Sequence, residues 1–326
     1  LNCQNRLDNL LVKTLVTDLQ ALIDPITRGD PESPLLWTSK STYNLCEELN
    51  QRGYNICQKT VYSLLVSLDY SLQSNKKRNE GKNHPDRDQQ FQYINKKVKA
   101  FLKKGYPVIS VDTKKKENIG NFKNQGKEYQ QKGKPIEVNM HDFANKKLGK
   151  VAPYGVYDIG KNKGWVGVGI SSDTAEFAVN TIRNWWFIMG KPEYPDVHEI
   201  LITADCGGSN GYRVKLWKYE LQKFANEIQM VISVCHFPPG TSKWNKIEHR
   251  MFSYNTKNWR GRPLETREAV VQLIANTKTK TGLKILAVLD KNEYLKGKKI
   301  DDKEMAQIKL RKSKFHGEWN YKIIPK

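Results

Sequence analysis

Acidic residues are scarce in this 326-residue chain: 34 Asp and Glu face 55 Lys and Arg, leaving a formal charge of +21. Such a surplus excludes a partner as basic as the protein itself and favours phosphates or anionic lipid surfaces. Long apolar runs are missing too. None approaches the roughly 18 residues that a membrane-spanning helix needs, which excludes a helical membrane protein. The five cysteines, Cys3, Cys46, Cys57, Cys206 and Cys235, are scattered with no C-x-x-C pair. An odd, dispersed set fits packed thiols in a reducing compartment, not a disulfide framework. No glycine-rich loop ends in Lys-Ser/Thr, which removes P-loop nucleotide binding. Ser209 sits in G-G-S-N-G, off the spacing of a G-x-S-x-G elbow and without an evident base. No initiator Met opens the chain, LNCQNRLDNLLVKT holds no signal-peptide hydrophobic block, and room is left for residues ahead of it. No internal repeat is visible.

What is present suffices for one large or two modest domains: 38% of residues are hydrophobic and 10% aromatic. The positive charge gathers in three stretches. Residues 75–104 carry ten Lys and Arg against three acids, residues 114–150 carry ten Lys against four acids, and the tail from Lys291 onward is Lys-rich. Three such stretches read as a phosphate track more readily than as solvated surface. Near the start, Leu7, Leu11, Leu15, Leu19 and Leu22 form one face of an amphipathic helix, which DPITRGDPESP (24–34) breaks. A helix from Ser39 turns Leu45, Cys46 and Leu49 inward. After a turn at Arg52-Gly53-Tyr54-Asn55, another helix from about Gln58 does the same with Val61, Leu64, Leu65 and Leu68. That pair is a helix-turn-helix pattern. Its outer face presents Gln58, Lys59, Thr60 and Ser63, polar side chains suited to base edges in a major groove. A plain helical hairpin is the structural alternative. SNKKRNEGKNHPDRD (74–88) reads as a linker, and Phe91, Ile94, Val98, Phe101 and Leu102 mark a basic amphipathic helix ending at Gly105.

Beyond Pro107 the texture becomes β-rich. PVISVD (107–112), VAPYGVYDI (151–159), WVGVGI (165–170), HEILITAD (198–205) and IQMVISVCHF (228–237) read as strands. Helices fall on DTAEFAVNTIRNWWFIMG, on SNGYRVKLWKYELQKFANE and around Lys243–Tyr254. Three strands, helix, strand, helix, strand, helix is the order of the ribonuclease H-like plan, an α/β mixed sheet with flanking helices. Asp112 closes the first strand, and Asp205 closes the fourth and runs into Gly207-Gly208-Ser209-Asn210-Gly211. Strand ends are where open α/β sheets place ligands, and glycines there let a bulky anion approach. Glu248 follows PPGTSKWN. Three carboxylates at one sheet edge repel and need a cation; oxygen ligands suit Mg²⁺ or Mn²⁺. Each carboxylate taken singly reads as solvated surface, and context is what lifts these three. A zinc site at Cys235, His236 and His249 is a weaker alternative, since no second tight pair exists. Trp244 and Trp259 flank Glu248 among Lys243, Lys246, Lys257, Arg260 and Arg262, placed to stack on unpaired bases or to pack in the core.

Three segments, VISVDTKKKENIGNF, LITADCGGSNG and HFPPGTSKWNKIEHRMF, resemble the DDE transposases of bacterial insertion sequences, in particular the Rhodopirellula-type family, distantly mariner-like. The likeness extends to RGDPESPLLWTSKS, the helix-turn-helix stretch and HPDRDQQFQYINKKVKAFL, over most of residues 15–265, and fades past about residue 290. It implies that Asp112, Asp205 and Glu248 are the catalytic, metal-holding triad, in that order. The 42 residues between Asp205 and Glu248 exceed the mid-thirties spacing of such enzymes, which a longer helix or loop would absorb. The implied organisation is a helix-turn-helix DNA-binding region (1–73) and a basic linker and helix (74–104). A ribonuclease H-like catalytic domain (105–265) and a Lys-rich C-terminal extension (266–326) follow. The implied function is metal-dependent DNA cleavage and strand transfer with two Mg²⁺, Mn²⁺ substituting. Partners would be double-stranded terminal inverted repeats and target DNA, with Gln58, Lys59, Thr60, Ser63, Lys243 and Trp244 at the DNA. A homo-oligomer on DNA, cytoplasmic and nucleoid-associated, is expected. The other readings are a non-catalytic DNA-binding derivative and a nuclease of the same fold without strand transfer.

Overall fold

The computed structural model describes residues 2–23, 41–71, 84–141, 143 and 148–326, with side chains in the first helix from Lys13 onward. The break expected at 24–34, the linker up to residue 83, and Leu7 and Leu11 of the leucine stripe lie outside the described residues or side chains. The chain divides into two compact units, residues 1–79 and 80–326.

The first unit is helical. Helices α1 (Asn2–Ile23), α2 (Thr42–Gln51) and α3 (Gln58–Ser67) close around Leu15, Leu19, Leu22, Leu45, Leu49 and Val61. Ser41 caps α2 by accepting from the Asn44 N–H at 3.1 Å, two residues later than the sequence suggested. Gly53 turns the chain between α2 and α3 at φ +95°, a backbone region costly for any residue with a Cβ. The Tyr54 hydroxyl then donates to Asp18 at 2.7 Å and pins the turn to α1.

The second unit is a nine-stranded mixed sheet. Helix α4 (Arg87–Lys103) precedes β1 (Val108–Thr113), β2 (Glu117–Asn118), β3 (Lys150–Asp158) and β4 (Lys163–Gly169). Then come α5 (Ala175–Trp185), β5 (Glu199–Ala204), α6 (Lys215–Ile228) and β6 (Val231–His236). With β7 (Lys284–Asp290), β8 (Leu310–Lys312) and β9 (Asn320–Ile323), the strand order is β7-β4-β3-β1-β5-β6-β9-β8, with β2 on β3. Its middle, β4-β3-β1-β5-β6, has β1, β3 and β4 antiparallel and β1, β5 and β6 parallel, the ribonuclease H-like arrangement expected from element order.

Two apolar layers cover the sheet because successive residues of a strand face opposite sides. Val111, Tyr154, Val156 and Ile202 pack with Phe177 and Trp185 of α5 and Trp217 and Phe224 of α6. Val151, Tyr157, Val166 and Val168 pack with Ile247, Met251, Phe252 and Trp259.

The boundary expected at residue 265 does not coincide with a structural one. Beyond it, α7 (Arg267–Ala275) packs on the second layer, and β7 (Lys284–Asp290) lies parallel to β4 at one edge of the sheet. At the other edge β9 (Asn320–Ile323) pairs antiparallel with β6, and β8 (Leu310–Lys312) with β9. Lysine density concealed these strands: β7 reads KILAVLD, and as an edge strand it leaves Leu286 and Val288 exposed. The helix expected across Lys243–Tyr254 is also broken. A 3₁₀ turn (Ser242–Trp244) meets an extended Asn245, followed by a π-helical turn (Glu248–Phe252) and a short helix (Ser253–Asn258).

Candidate active site

β1 and β5 run parallel, with Ser110 level with Thr203. Continuing that register brings Asp112 level with Asp205, on the same face, at the C-terminal ends of neighbouring strands. Glu248 reaches this edge from the π-helical turn, and the local contacts explain how. Asn245, fully buried, donates from its amide to the Val111 carbonyl at 2.9 Å and accepts from the Ser110 hydroxyl at 2.5 Å. The same Ser110 oxygen accepts the Ile247 N–H at 3.0 Å. β1 thus holds the segment just ahead of Glu248 from the residues just ahead of Asp112. Gly155 on β3 lies opposite Asp112, and a Cβ there would meet Met251 Cε and Phe252 Cε1 at 2.7 Å and Ile247 Cδ1 at 2.8 Å. Only a glycine lets the Glu248 turn lie this close to the sheet.

The electrostatics follow from burial. Asp112 is 9% exposed, and desolvation, then the charge of Asp205, push its carboxyl up to about 8 against a Thr113 N–H bond of 2.8 Å. Burial also raises Asp205, although the Asn210 amide donates to it at 2.9 Å, and Asp173 adds to the rise. Burial raises Glu248, opposed by Lys114. The ammonium of Lys114, itself buried, lies 4.4 Å from the Trp259 ring centroid and bonds Glu117 at 3.1 Å. Tyr154 is fully buried, its hydroxyl has no hydrogen-bond partner among the described residues, and its pKa is pushed far up by burial and by Asp112, Asp173 and Asp205. Negative charge here is therefore undercompensated by the protein. All-oxygen donors, an orphaned hydroxyl and raised carboxyl pKa values fit a hard divalent cation.

Asp205 is held from behind by a consistent chain of donors. Trp217 Nε1–H donates to the Tyr321 hydroxyl at 3.0 Å, Tyr321 to His236 Nε2 at 3.1 Å, and His236 Nδ1–H to the Asp205 carbonyl at 2.8 Å. Burial lowers the His236 pKa to about 4, so the ring is neutral, as this chain requires. Both of its nitrogens are thereby occupied. Burial lifts the Cys235 thiol to about 12, and His249 bonds the Lys243 carbonyl, so the zinc alternative has no converging donors. Beside Asp205, the 206–213 turn and Pro238–Ser242 enclose an open cleft of about 380 Å³ that includes Arg213.

Of the other sequence candidates, Trp259 is core, whereas Trp244 is 49% exposed with the Lys243 ammonium 5.4 Å from its ring centroid. In the first unit, Lys59 and Ser63 lie one turn apart on the exposed side of α3, together with Tyr62 and Val66, which sequence reasoning missed. Gln58 and Thr60 are half-buried, and their polar groups meet Thr42 at 2.7 Å and Cys57 at 3.3 Å. Asn245, Lys114, Tyr154 and Asp173 were also missed, and His236, named only for the zinc alternative, instead supports Asp205. Asp173 accepts from the Thr113 hydroxyl at 3.2 Å.

The fold and site define a ribonuclease H-like α/β domain with carboxylates gathered at its central strand ends. The chain belongs to the family of the Rhodopirellula transposase DDE domain, whose model matches residues 18–325, including the C-terminal strands. Solved structures similar to it include three of Mos1. One is the Mos1 transposase paired-end complex with left transposon end, at 14% identity over 79% of this chain and 68% of that chain, TM-score 0.42. The mariner Mos1 paired-end complex with Mn has 15% identity over 79% and 69%, TM-score 0.41. The complex with Mg has 13% identity over 79% and 68%, TM-score 0.42. No curated protein sequence matches the chain.

Proposed function

We propose that the protein cuts DNA at the ends of its own element and joins the freed ends to target DNA. The observation that carries this is the convergence of Asp112, Asp205 and Glu248 on one sheet edge, buried and short of positive charge, in a chain of a transposase family. Asp112, Asp205 and Glu248 would hold two Mg²⁺, with Mn²⁺ substituting. Bound there, the metal supplies Lewis-acid charge and a nucleophile at neutral pH. The protein's own part is placement. β1 and β5 fix two carboxylates side by side, the Asn245 and Gly155 contacts fix the third, and Lys114 opposes the rise that burial gives Glu248. The reaction is an in-line displacement at phosphorus, first by water and then by the freed 3′-hydroxyl, and needs no protein nucleophile. Double-stranded inverted repeats bind through the helical unit, with Lys59 and Ser63 outermost on α3 and Gln58 and Thr60 beside them. Lys243 and Trp244 meet DNA near the cut, Trp244 by stacking. The protein acts in the cytoplasm, at the nucleoid, as a homo-oligomer on DNA.

Asp205→Asn keeps size and one acceptor oxygen but removes the charge. Cleavage of element-end DNA in Mg²⁺ should fall by orders of magnitude, with repeat binding nearly unchanged. Asp112→Asn and Glu248→Gln should match it. Glu227→Gln, at an ion pair with Arg183 on α5, should behave as the parent. Cleavage by Asp205→Asn at the parent rate would sink the assignment, and cleavage without joining would make the protein a nuclease.

A further inference from the structure

Among the described residues, one group of three offers metal-ligand atoms that all lie within 4.8 Å of one another, and it does not include the carboxylate triad: His84, Asp86 and His316. We infer that these three residues form a separate site for a borderline transition-metal ion of the Zn²⁺ class, joining the start of α4 to the turn between β8 and β9.

The residues come from two distant stretches of chain. His84 and Asp86 immediately precede α4, and His316 sits in the β8–β9 turn. His316 Nε2 lies 2.9 Å from Asp86 Oδ2, and His316 Nδ1 lies 2.8 Å from Glu318 Oε1. The two carboxylates draw a proton onto each nitrogen of His316; a metal ion would displace the one on Nε2, while Glu318 keeps the one on Nδ1. That is the carboxylate–histidine–metal arrangement in which the outer carboxylate orients the ligand ring and raises its basicity. His84 Nδ1 accepts from the Asp86 N–H at 3.2 Å, so its lone pair also lies in the cluster. A metal ion would take that lone pair in place of the long backbone bond.

Dimensions and donor chemistry agree. With Zn–N and Zn–O bonds of about 2.0–2.1 Å, tetrahedral ligand atoms stand about 3.4 Å apart. The 2.9 Å pair need open only by tenths of an ångström, and the remaining atoms, none beyond 4.8 Å, need close by about 1.4 Å at most. Two imidazoles and one carboxylate suit Zn²⁺ and its neighbours, and not Mg²⁺, which prefers oxygen alone.

The rings are also held in place. Trp319, 3% exposed, stacks on His316 at 4.4 Å and 22°, and His84 meets Trp319 edge-on at 4.7 Å. His316 occupies the left-handed region at φ +41°, uncommon for a residue with a Cβ and maintained here by these contacts. The site would clamp two elements that already share a buried amide pair. Gln90 of α4 and Asn320 of β9 exchange bonds of 2.9 and 2.8 Å, and Gln90 also donates to the His236 carbonyl at 2.8 Å.

The test uses tag-free, full-length, metal-stripped protein titrated with Co²⁺ and read by visible absorbance. Zn²⁺ displacement follows, with Mg²⁺ in excess throughout. One Co²⁺ per chain with the intense bands of four-coordinate geometry, displaced by one equivalent of Zn²⁺, is expected. His84→Gln and His316→Asn, the latter chosen because Asn tolerates the left-handed region, should each weaken binding by about 100-fold or more. Glu318→Gln should cost about 10–100-fold, as loss of an outer carboxylate does. Asp112→Asn should leave uptake unchanged, which separates this site from the triad. Hydrated, six-coordinate Co²⁺ would show that His316 is only an imidazolium between two carboxylates and overturn the inference. So would undiminished uptake by His84→Gln, or uptake lost with Asp112→Asn.

Discussion

Gly155→Ala tests how Glu248 is placed without touching any carboxylate. The added methyl would stand 2.7 Å from Met251 Cε and Phe252 Cε1 and 2.8 Å from Ile247 Cδ1, all on or beside the π-helical turn that carries Glu248. Restoring an ordinary 3.4 Å contact requires the turn to back away by about 0.7 Å. Overpacking of this kind costs about 1–3 kcal/mol, which urea unfolding would record as a lower midpoint. A displacement near 1 Å at a reacting centre costs up to about 100-fold in rate, so single-turnover cleavage of end-containing DNA should fall by roughly 10- to 100-fold. Repeat binding by the helical unit should not change. In the double variant, Met251→Ala removes one of the three clashing groups and should recover part of the rate. Parent-rate cleavage by Gly155→Ala, with the stability loss present, would refute the idea that packing of this turn on β3 sets the third carboxylate.

Two further outcomes are expected. Asp112 is pushed up to about 8, and Asp205 and Glu248 are raised by burial, so the folded chain keeps protons that the unfolded chain has lost. The stability that these three groups contribute should therefore be fully present below the unfolded carboxyl pKa near 4 and be lost as pH rises through their folded values, about 8 for Asp112. Thermal unfolding in chelator should show this fall, Mg²⁺ should flatten it, and Asp112→Asn should remove part of it; an unchanged slope in that variant would contradict the electrostatic account. Lys59→Ala should weaken inverted-repeat binding by about 1–3 kcal/mol if the side chain reads a base. An equal loss on random DNA in a gel-shift competition would make it a phosphate contact.

The strands of the sheet centre were legible because β1, β3, β4, β5 and β6 are β-branched or aromatic runs closed by turn residues, with Asp112 near the end of β1 and Asp205 just past the end of β5. The edge strands were not. β7 is half exposed and set in lysine-rich chain, so its composition looks like solvated surface although its register with β4 is complete over seven residues. Positions of Asp112, Asp205 and Glu248 could be proposed from strand ends and resemblance, but what holds them could not. Asn245 meets Ser110 across 135 positions, and His316 meets Asp86 across 230, distances at which local pattern carries no information. The helix across Lys243–Tyr254 failed for a related reason: the amphipathic pattern is real, but Asn245 is drawn into an extended conformation by its bonds to β1.

Residues 284–326 close both edges of the sheet, with β7 beside β4 and β9 beside β6, and Tyr321 supports His236 behind Asp205. A growing chain on the ribosome therefore carries all three carboxylates long before it carries the strands that seal them. Until residue 290 emerges β4 is a bare edge, and until residue 323 emerges so is β6, each prone to pair with other chains. A message cut short between Glu248 and residue 320 therefore yields a chain that holds all three carboxylates but has an open sheet edge, prone to aggregate.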